Sequence, residues 1–360
     1  MINIFYWFFY YLKCAFNLLY SYCSNVKIKS KSSNIKKVND YLYINKLSGT
    51  YFEMGEQYGK AMKSVLEKDV TKSINFINEN QSVLKRKIPY KYRSDNIFNS
   101  MMLLYEDNKK HYNPDVINFM KGISSSSDIK YESLLHVNLI GDLMDNHCIL
   151  LGKKLNDKVL NLRTLDYGCP QMSHSLTVFN PINKSSYISL NLSIITGIFT
   201  GISKEGIFFG ESYYDKKIGY PSLVGMPFHH ISHKILSEAN NLDEVEEILK
   251  NCERTSNLQL LVSDKEKSRI YLACKNKFIT QQDTDLVYSV TPNEKENFNK
   301  NFGYLDSLDN IIKEFVPRTK SGELHIMISY DKKLYVSVTT DILQSYNNTF
   351  YEFSLEELFN

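Results

Sequence analysis

Two apolar runs, Ile149–Leu151 and Val159–Leu165, flank the polar turn Asn156-Asp157-Lys158, and that arrangement predicts a β-hairpin. With Asn156 and Asp157 as the central turn residues, Cys148 faces Leu165 and Arg163 lies across from Leu150. Side chains two apart along a strand share a face, so Cys148 and Arg163 project from the same side of adjacent strands. Asp166 falls on the opposite side under strict alternation. A bulge, or the bend into Tyr167-Gly168-Cys169-Pro170, must re-aim it if it is to join them. Local pairing thus gathers a thiol, a guanidinium and a carboxylate, the parts of a nucleophile centre.

The rest of the chain has the means to bury such a centre. Its 360 residues suffice for one large or two ordinary domains, and an apolar fraction of 43% is that of a globular protein. A net charge of +3 argues against a nucleic-acid partner, which concentrates basic residues on one element. The cysteines (Cys14, Cys23, Cys148, Cys169, Cys252, Cys274) contain no C-x-x-C pair, so zinc-finger and thioredoxin-like readings are poor. Cys252 and Cys274 either pair in an oxidising compartment or remain buried free thiols.

Residues 1–23 are the most hydrophobic segment. The run before Lys13 is near the length of a secretory signal core and short of the roughly 20 residues that span a bilayer. A cleaved signal, a membrane anchor and a buried or interfacial helix all fit. Residues 24–40, with Lys27, Lys29, Lys31, Lys36 and Lys37 among Ser and Asn, read as an exposed linker. Tyr41–Leu47 reads as a strand, followed by a helix running past Val65 in which Gly55 and Gly59 let another backbone approach. Residues 68–145 read as helical, with Pro89 and Pro114 as breaks. Strands are expected at Ser175–Phe179, Tyr187–Ile195, Gly206–Glu211, Leu258–Ser263, Ser268–Cys274, Glu323–Ser329 and Lys333–Thr339. Helices are expected at Leu242–Cys252, capped by Asn241 or Asp243, and at Leu305–Phe315. The pattern is that of an α+β layered domain.

A Cys opening a strand, a turn, and then Arg163-Thr-Leu-Asp166-Tyr resembles the cysteine-type N-terminal-nucleophile (Ntn) hydrolases. That group includes acid ceramidase, N-acylethanolamine acid amidase, choloylglycine hydrolase and the penicillin acyltransferases. Gly49-Thr-Tyr-Phe-Glu-Met-Gly55-Glu-Gln57-Tyr-Gly59 separately resembles the signature near the start of the pro-segment in the acyltransferase branch, and Gly201-Ile-Ser203-Lys-Glu205-Gly206 resembles a family turn. The resemblance implies a four-layer αββα sandwich with a mainly helical N-terminal segment. It implies scission between His147 and Cys148, with Cys148 as nucleophile and its freed amine as base. The division it implies is a signal or anchor at 1–23, a linker at 24–40, a helical α-chain at 41–147 and a catalytic β-chain at 148–360. Arg163 and Asp166 would organise the site, and Asn257 and Asn293 stand where family members carry polar site residues.

Chemically, a thiol with a pKa near 8.5 is only a few per cent ionised at neutral pH, and a cation such as Arg163 lowers that value. A chain-start amine, with a pKa near 8, serves as base without a histidine. His229, His230 and His233 form an H-H-x-x-H cluster without a matching acidic set, so no metal is expected, nor any cofactor. P-loop, GxGxxG and GxSxG patterns are absent. Arg254 and Arg318 are weak candidates for substrate contacts. The expected function is an autoproteolytic amidohydrolase or acyltransferase acting on a linear amide, such as an N-acyl lipid or acyl amino acid. Its partners would be that small molecule, its own α-chain and, as one option, a membrane or lipid surface. The alternative is a non-catalytic relative binding lipid or a protein. Sequons at Asn80, Asn183, Asn191 and Asn347 are compatible with a glycoprotein that is secreted or held in an endomembrane lumen.

Overall fold

The computed structural model describes residues 26–27, 35–144, 148–214, 222–280, 286–288 and 305–360. Residues 1–23, Cys14, Cys23, His147 and Asn293 lie outside the described residues. The architecture is α+β, with two sheets face to face and helices on both outer faces.

The first sheet runs β1 (Val26–Lys27), β16 (Tyr351–Ser354), β15 (Lys333–Val338), β14 (His325–Tyr330), β5 (Lys158–Leu165), β4 (Leu150–Leu155) and β13 (Leu286–Tyr288). The second runs β12 (Phe278–Thr280), β11 (Ser268–Ala273), β10 (Leu258–Ser263), β9 (Phe208–Tyr213), β8 (Thr200–Ser203), β7 (Tyr187–Leu192), β6 (His174–Pro181), β3 (Leu42–Gly49) and β2 (Ile35–Lys37). Alternation along the strands sorts the core into three apolar layers. Leu150, Met327 and Val336 meet Leu176, Ile188 and Leu261 between the sheets. Phe209, Tyr187 and Leu258 face the helices. Leu160, Ile326 and Ile328 pack under Ile311 and Phe315. The order is therefore helix, sheet, sheet, helix, the four-layer sandwich.

The long helix Tyr51–Glu79 starts on a capping box, in which Glu53 N donates to Thr50 Oγ1 at 3.3 Å and Thr50 N donates to Glu53 Oε2 at 2.7 Å. Gln57 clips it to the end of β3, donating to the Ser48 carbonyl at 2.7 Å. Its glycine face meets the helix Pro114–Ser126, as the spacing predicts. A Cβ on Gly55 would lie 2.2 Å from the Phe119 carbonyl oxygen, and one on Gly122 would lie 2.0 Å from that of Phe52.

Pro114 marks a break in the helical run, as expected, and begins the next helix: it holds the first position behind Asn113, whose Oδ1 accepts from Asp115 N at 3.0 Å. Several expectations need correction. Residues 35–37 are not linker but the edge strand β2, paired with β3. The helix expected from Leu305 starts later, at Leu308 behind the Ser307 cap, and continues to Thr319. Pro317 cannot donate to the carbonyl four residues earlier, and the chain widens to a π turn over Ile311–Phe315. Asn191 is buried, with Oδ1 accepting from Phe199 N at 2.9 Å and Nδ2 donating to the Gly197 carbonyl at 2.5 Å, so that sequon cannot carry a glycan in the folded chain. Among the described residues no helix is long and apolar enough to cross a membrane.

The close helix contact gives a stability test. Gly55→Val drives its side chain into backbone and should cost about 1–3 kcal/mol in chemical denaturation. Gly168→Ala, whose added Cβ meets nothing nearer than Met144 Cε at 3.8 Å, should change stability by less than about 0.5 kcal/mol.

Candidate active site

The β4–β5 hairpin has the register that its turn dictates. Asn156 and Asp157 both take positive φ, at 48° and 61°, which is the type I′ geometry matching the twist of paired strands. Leu150 pairs with Arg163, and Thr164 Oγ1 accepts from Ile149 N at 2.8 Å, so Cys148 sits where the ladder ends. Strand β9 closes over it: Cys148 N donates to Ser212 Oγ at 3.2 Å, and Ser212 Oγ donates to the Cys148 carbonyl at 2.9 Å.

Arg163 shares the face of Cys148 and is fully buried. Its Nη2 lies 3.4 Å from Cys148 Sγ and 2.5 Å from Glu211 Oε1, while Nε donates to the Glu211 carbonyl at 3.2 Å. Nη1 stands 3.3 Å from His325 Nε2. The arginine stem passes Gly210, where a Cβ would come within 2.9 Å of Cγ. A cation in so dry a place needs a partner, and Glu211, itself fully buried, supplies it.

Asp166 influences the site through its backbone, which favours the Cys148 thiolate. Its carboxylate turns away to cap a loop, accepting from Gly322 N and Glu323 N at 2.6 Å each and from the Ser321 hydroxyl. Ser321 Oγ lies 2.5 Å from Thr164 Oγ1, which ties that loop to the hairpin. The bend after Leu165 therefore spends the carboxylate on the neighbouring loop and leaves the thiol to Arg163.

Burial pushes the Cys148 thiol up to about 12; Arg163 pulls it down, and Glu211 and Asp166 push it up further. Burial also holds His325 well below its ordinary value, with His174 and Arg163 adding to the effect. His174, its ring 5.2 Å from that of His325, is brought down to about 3 by burial. Both histidines are thus neutral at physiological pH.

Asn257 lies at the start of β10, on the same end of the sandwich, with its carbonyl accepting from Tyr214 N at 3.1 Å. Its Oδ1 is buried without a partner among the described residues. Just before it, the hydroxyls of Thr255 (2.7 Å) and Ser256 (3.3 Å) donate to Asp142 Oδ1. Ser256 takes φ 62°, in the left-handed region. Burial raises the Asp142 carboxyl to about 6, the two hydroxyls pull it down, and the Glu211 charge adds to the rise.

Other sequence candidates sit elsewhere. His230 Nδ1 accepts from Asn113 N at 3.2 Å, and His233 Nε2 is 2.8 Å from the Tyr187 hydroxyl; burial lowers the pKa of both rings. Among the described residues no three His, Cys, Asp or Glu side chains gather to hold a metal. Arg254 is buried and donates to the carbonyls of Leu249, Cys252 and Cys274, while Arg318 pairs with Glu314 on the surface. Cys252 and Cys274 are free and buried. Sequence reasoning missed Glu211, Ser212, His325 and Asp142. One signal was available: Glu211 ends the apolar run Ile207-Phe-Phe-Gly, where a buried charge requires a buried partner.

Two measurements test this electrostatic arrangement. Glu211→Gln leaves Arg163 uncompensated, so chemical denaturation should show a loss of about 3–5 kcal/mol. It also removes one of the charges that raise the thiol, so the Cys148 pKa falls and alkylation at fixed pH speeds up. Asp142 has a folded pKa of about 6 against an ordinary 3.8, so its neutral form favours folding. That contribution is complete below about 3.8 and lost as pH rises through 6. Asp142→Asn cannot ionise, so its stability relative to the unsubstituted chain should improve between pH 4 and pH 7 in parallel denaturation series.

No family model matches the chain. It is 26% identical over 166 residues to protein dcd1A of Dictyostelium discoideum, covering 41% of this chain and 37% of that protein. It is 25% identical over 293 residues to protein dcd1B of the same organism, covering 68% and 58% respectively. The chain thus spans less than two thirds of the length of either relative. Among solved structures, penicillin V acylase from Agrobacterium tumefaciens matches at a TM-score of 0.38 and 10% identity over 59% of this chain and 87% of that one. A variant of conjugated bile acid hydrolase from Clostridium perfringens matches at a TM-score of 0.39 and 13% identity over 59% and 94%.

Proposed function

We propose that the chain is a self-processing thiol enzyme acting on linear, non-peptide amides, such as an N-acyl lipid or an acyl amino acid. One observation carries this reading: Cys148, at the mouth of a strand, holds its sulfur 3.4 Å from the guanidinium of Arg163. In the first step Cys148 Sγ attacks the carbonyl carbon of His147, the peptide bond gives way to a thioester, and water releases residue 147 as a carboxylic acid. The freed Cys148 amine is then the base. It takes the thiol proton as sulfur attacks the substrate carbonyl and returns it to the departing amine. Water or a second amine releases the acyl group. Asn257 and Asn293 would donate to the oxyanion, and Asp166 would hold the loop over the thiol. Scission also admits water to the sulfur, weakening the burial that keeps the thiol protonated.

A second reading has its own support. Cys148 is 5% exposed and Glu211 neutralises the nearby cation. The void lined by Tyr167, Cys169 and Phe199 beside the bend measures about 20 Å³, room for one water and not for an acyl amide. A non-catalytic relative of the same fold would look like this. Ile149, where the family usually has Thr or Ser, fits it too. Passage through a secretory compartment, or tethering through residues 1–23, is proposed with either reading.

A denaturing gel separates the two. The 41.9 kDa chain should resolve into two fragments after folding, the larger beginning at Cys148 by mass spectrometry, and Cys148→Ala should stay whole. A single band from both, with no selective labelling of Cys148 by a thiol-reactive acyl probe, would establish the non-catalytic reading.

A further inference from the structure

The hairpin turns after β4, β8, β10 and β14 all lie at the end of the sandwich away from Cys148. With the terminal helix Leu355–Phe359 they surround a cavity of about 730 Å³, within the range of small-molecule sites. Strands β4 and β5 separate it from the thiol by roughly 20 Å at the ordinary rise per residue.

Its wall is apolar on one side, formed by Val159, Ile202 and Phe359, and Ile202 belongs to the core between the sheets. Its rim carries Lys204, Lys265 and Lys332. Two of the four nearby carboxylates are engaged. Asp331 Oδ1 holds Lys158 at 2.5 Å, and Asp264 Oδ1 accepts from Glu266 N and Lys267 N at 2.9 and 3.0 Å. The Asp157 side chain is 99% exposed and lies 3.9 Å from Lys154, so it and Glu356 remain as acids on the rim. Gly206, at φ 96°, gives the Lys265 stem its path: a Cβ there would meet Cε at 2.9 Å.

We propose that this cavity is a second binding site, which takes a long-chain carboxylate. The apolar wall removes the alkyl chain from water, and the lysine rim meets the anionic head with charge-assisted hydrogen bonds. The site stands apart from the thiol and does not depend on any chemistry at Cys148.

Calorimetric titration of the full chain with dodecanoate, kept below its micelle concentration, tests the proposal. Saturable binding of one molecule per chain is expected. The triple variant Lys204→Gln, Lys265→Gln, Lys332→Gln should bind at least tenfold more weakly while its thermal midpoint holds, because all three side chains are exposed. Dodecanol should also bind at least tenfold more weakly than dodecanoate, and Cys148→Ala should bind dodecanoate unchanged. The proposal is overturned if the unsubstituted chain gives no saturable heat, if the triple variant or dodecanol matches dodecanoate on the unsubstituted chain, or if Cys148→Ala abolishes binding.

Discussion

A guanidinium with no exposed surface is tolerable only where an anion and enough acceptors surround it, and Arg163 sets that condition for the whole end of the sandwich. Glu211 must lie within reach on the facing sheet, so β5 and β9 are locked in relative position. Position 210 must lack a side chain, or the arginine could not pass. His325 must be neutral, since a second buried cation 3.3 Å away would be repelled, and burial keeps it so. Cys148 then inherits its place: it is the next residue on the arginine's face where the hairpin ladder runs out.

The same geometry bears on what scission before Cys148 would leave. Strand β3 lies inside the second sheet, paired in parallel with β6 along its whole length, and the helices from Tyr51 to Leu139 share one apolar layer with β7, β9 and β10. A break between residues 147 and 148 would open the chain without dividing the core. The two pieces would stay joined by burial, which is indifferent to whether the backbone is continuous.

Legibility followed sequence distance. The hairpin, its register and the Cys148–Arg163 juxtaposition were readable because a two-residue turn fixes strand pairing within twenty residues. Gly55 and Gly59 announced a close contact, though not that Gly122 would meet them. Glu211, Ser212, His325 and Asp142 were not legible in their roles, because each reaches the site through a pairing between distant segments. Short edge strands such as β1, β2 and β12 carry too few residues for alternation to show. The helix Phe228–Glu238 was missed for another reason: His229, His230 and His233 read as polar, yet all three are buried and line its packed face. Asp166 shows the limit of face counting. Alternation placed it opposite the thiol, and the bend that follows sent its carboxylate to the 321–323 loop.

Asp142 joins these observations. It lies on the segment leading to the proposed cut, and its carboxyl holds the hydroxyls of Thr255 and Ser256. Ser256 has a left-handed backbone, a conformation that costs energy for a residue with a side chain and persists only where surroundings impose it. Both hydroxyls bind that carboxyl, and the next residue, Asn257, holds a buried side-chain oxygen with no partner among the described residues, at the same end as Cys148. Under the proposed function, that oxygen would accept a hydrogen bond from a substrate donor. If the oxygen receives a substrate N–H, the residues before the cut remain part of the working site as the support of its strained loop.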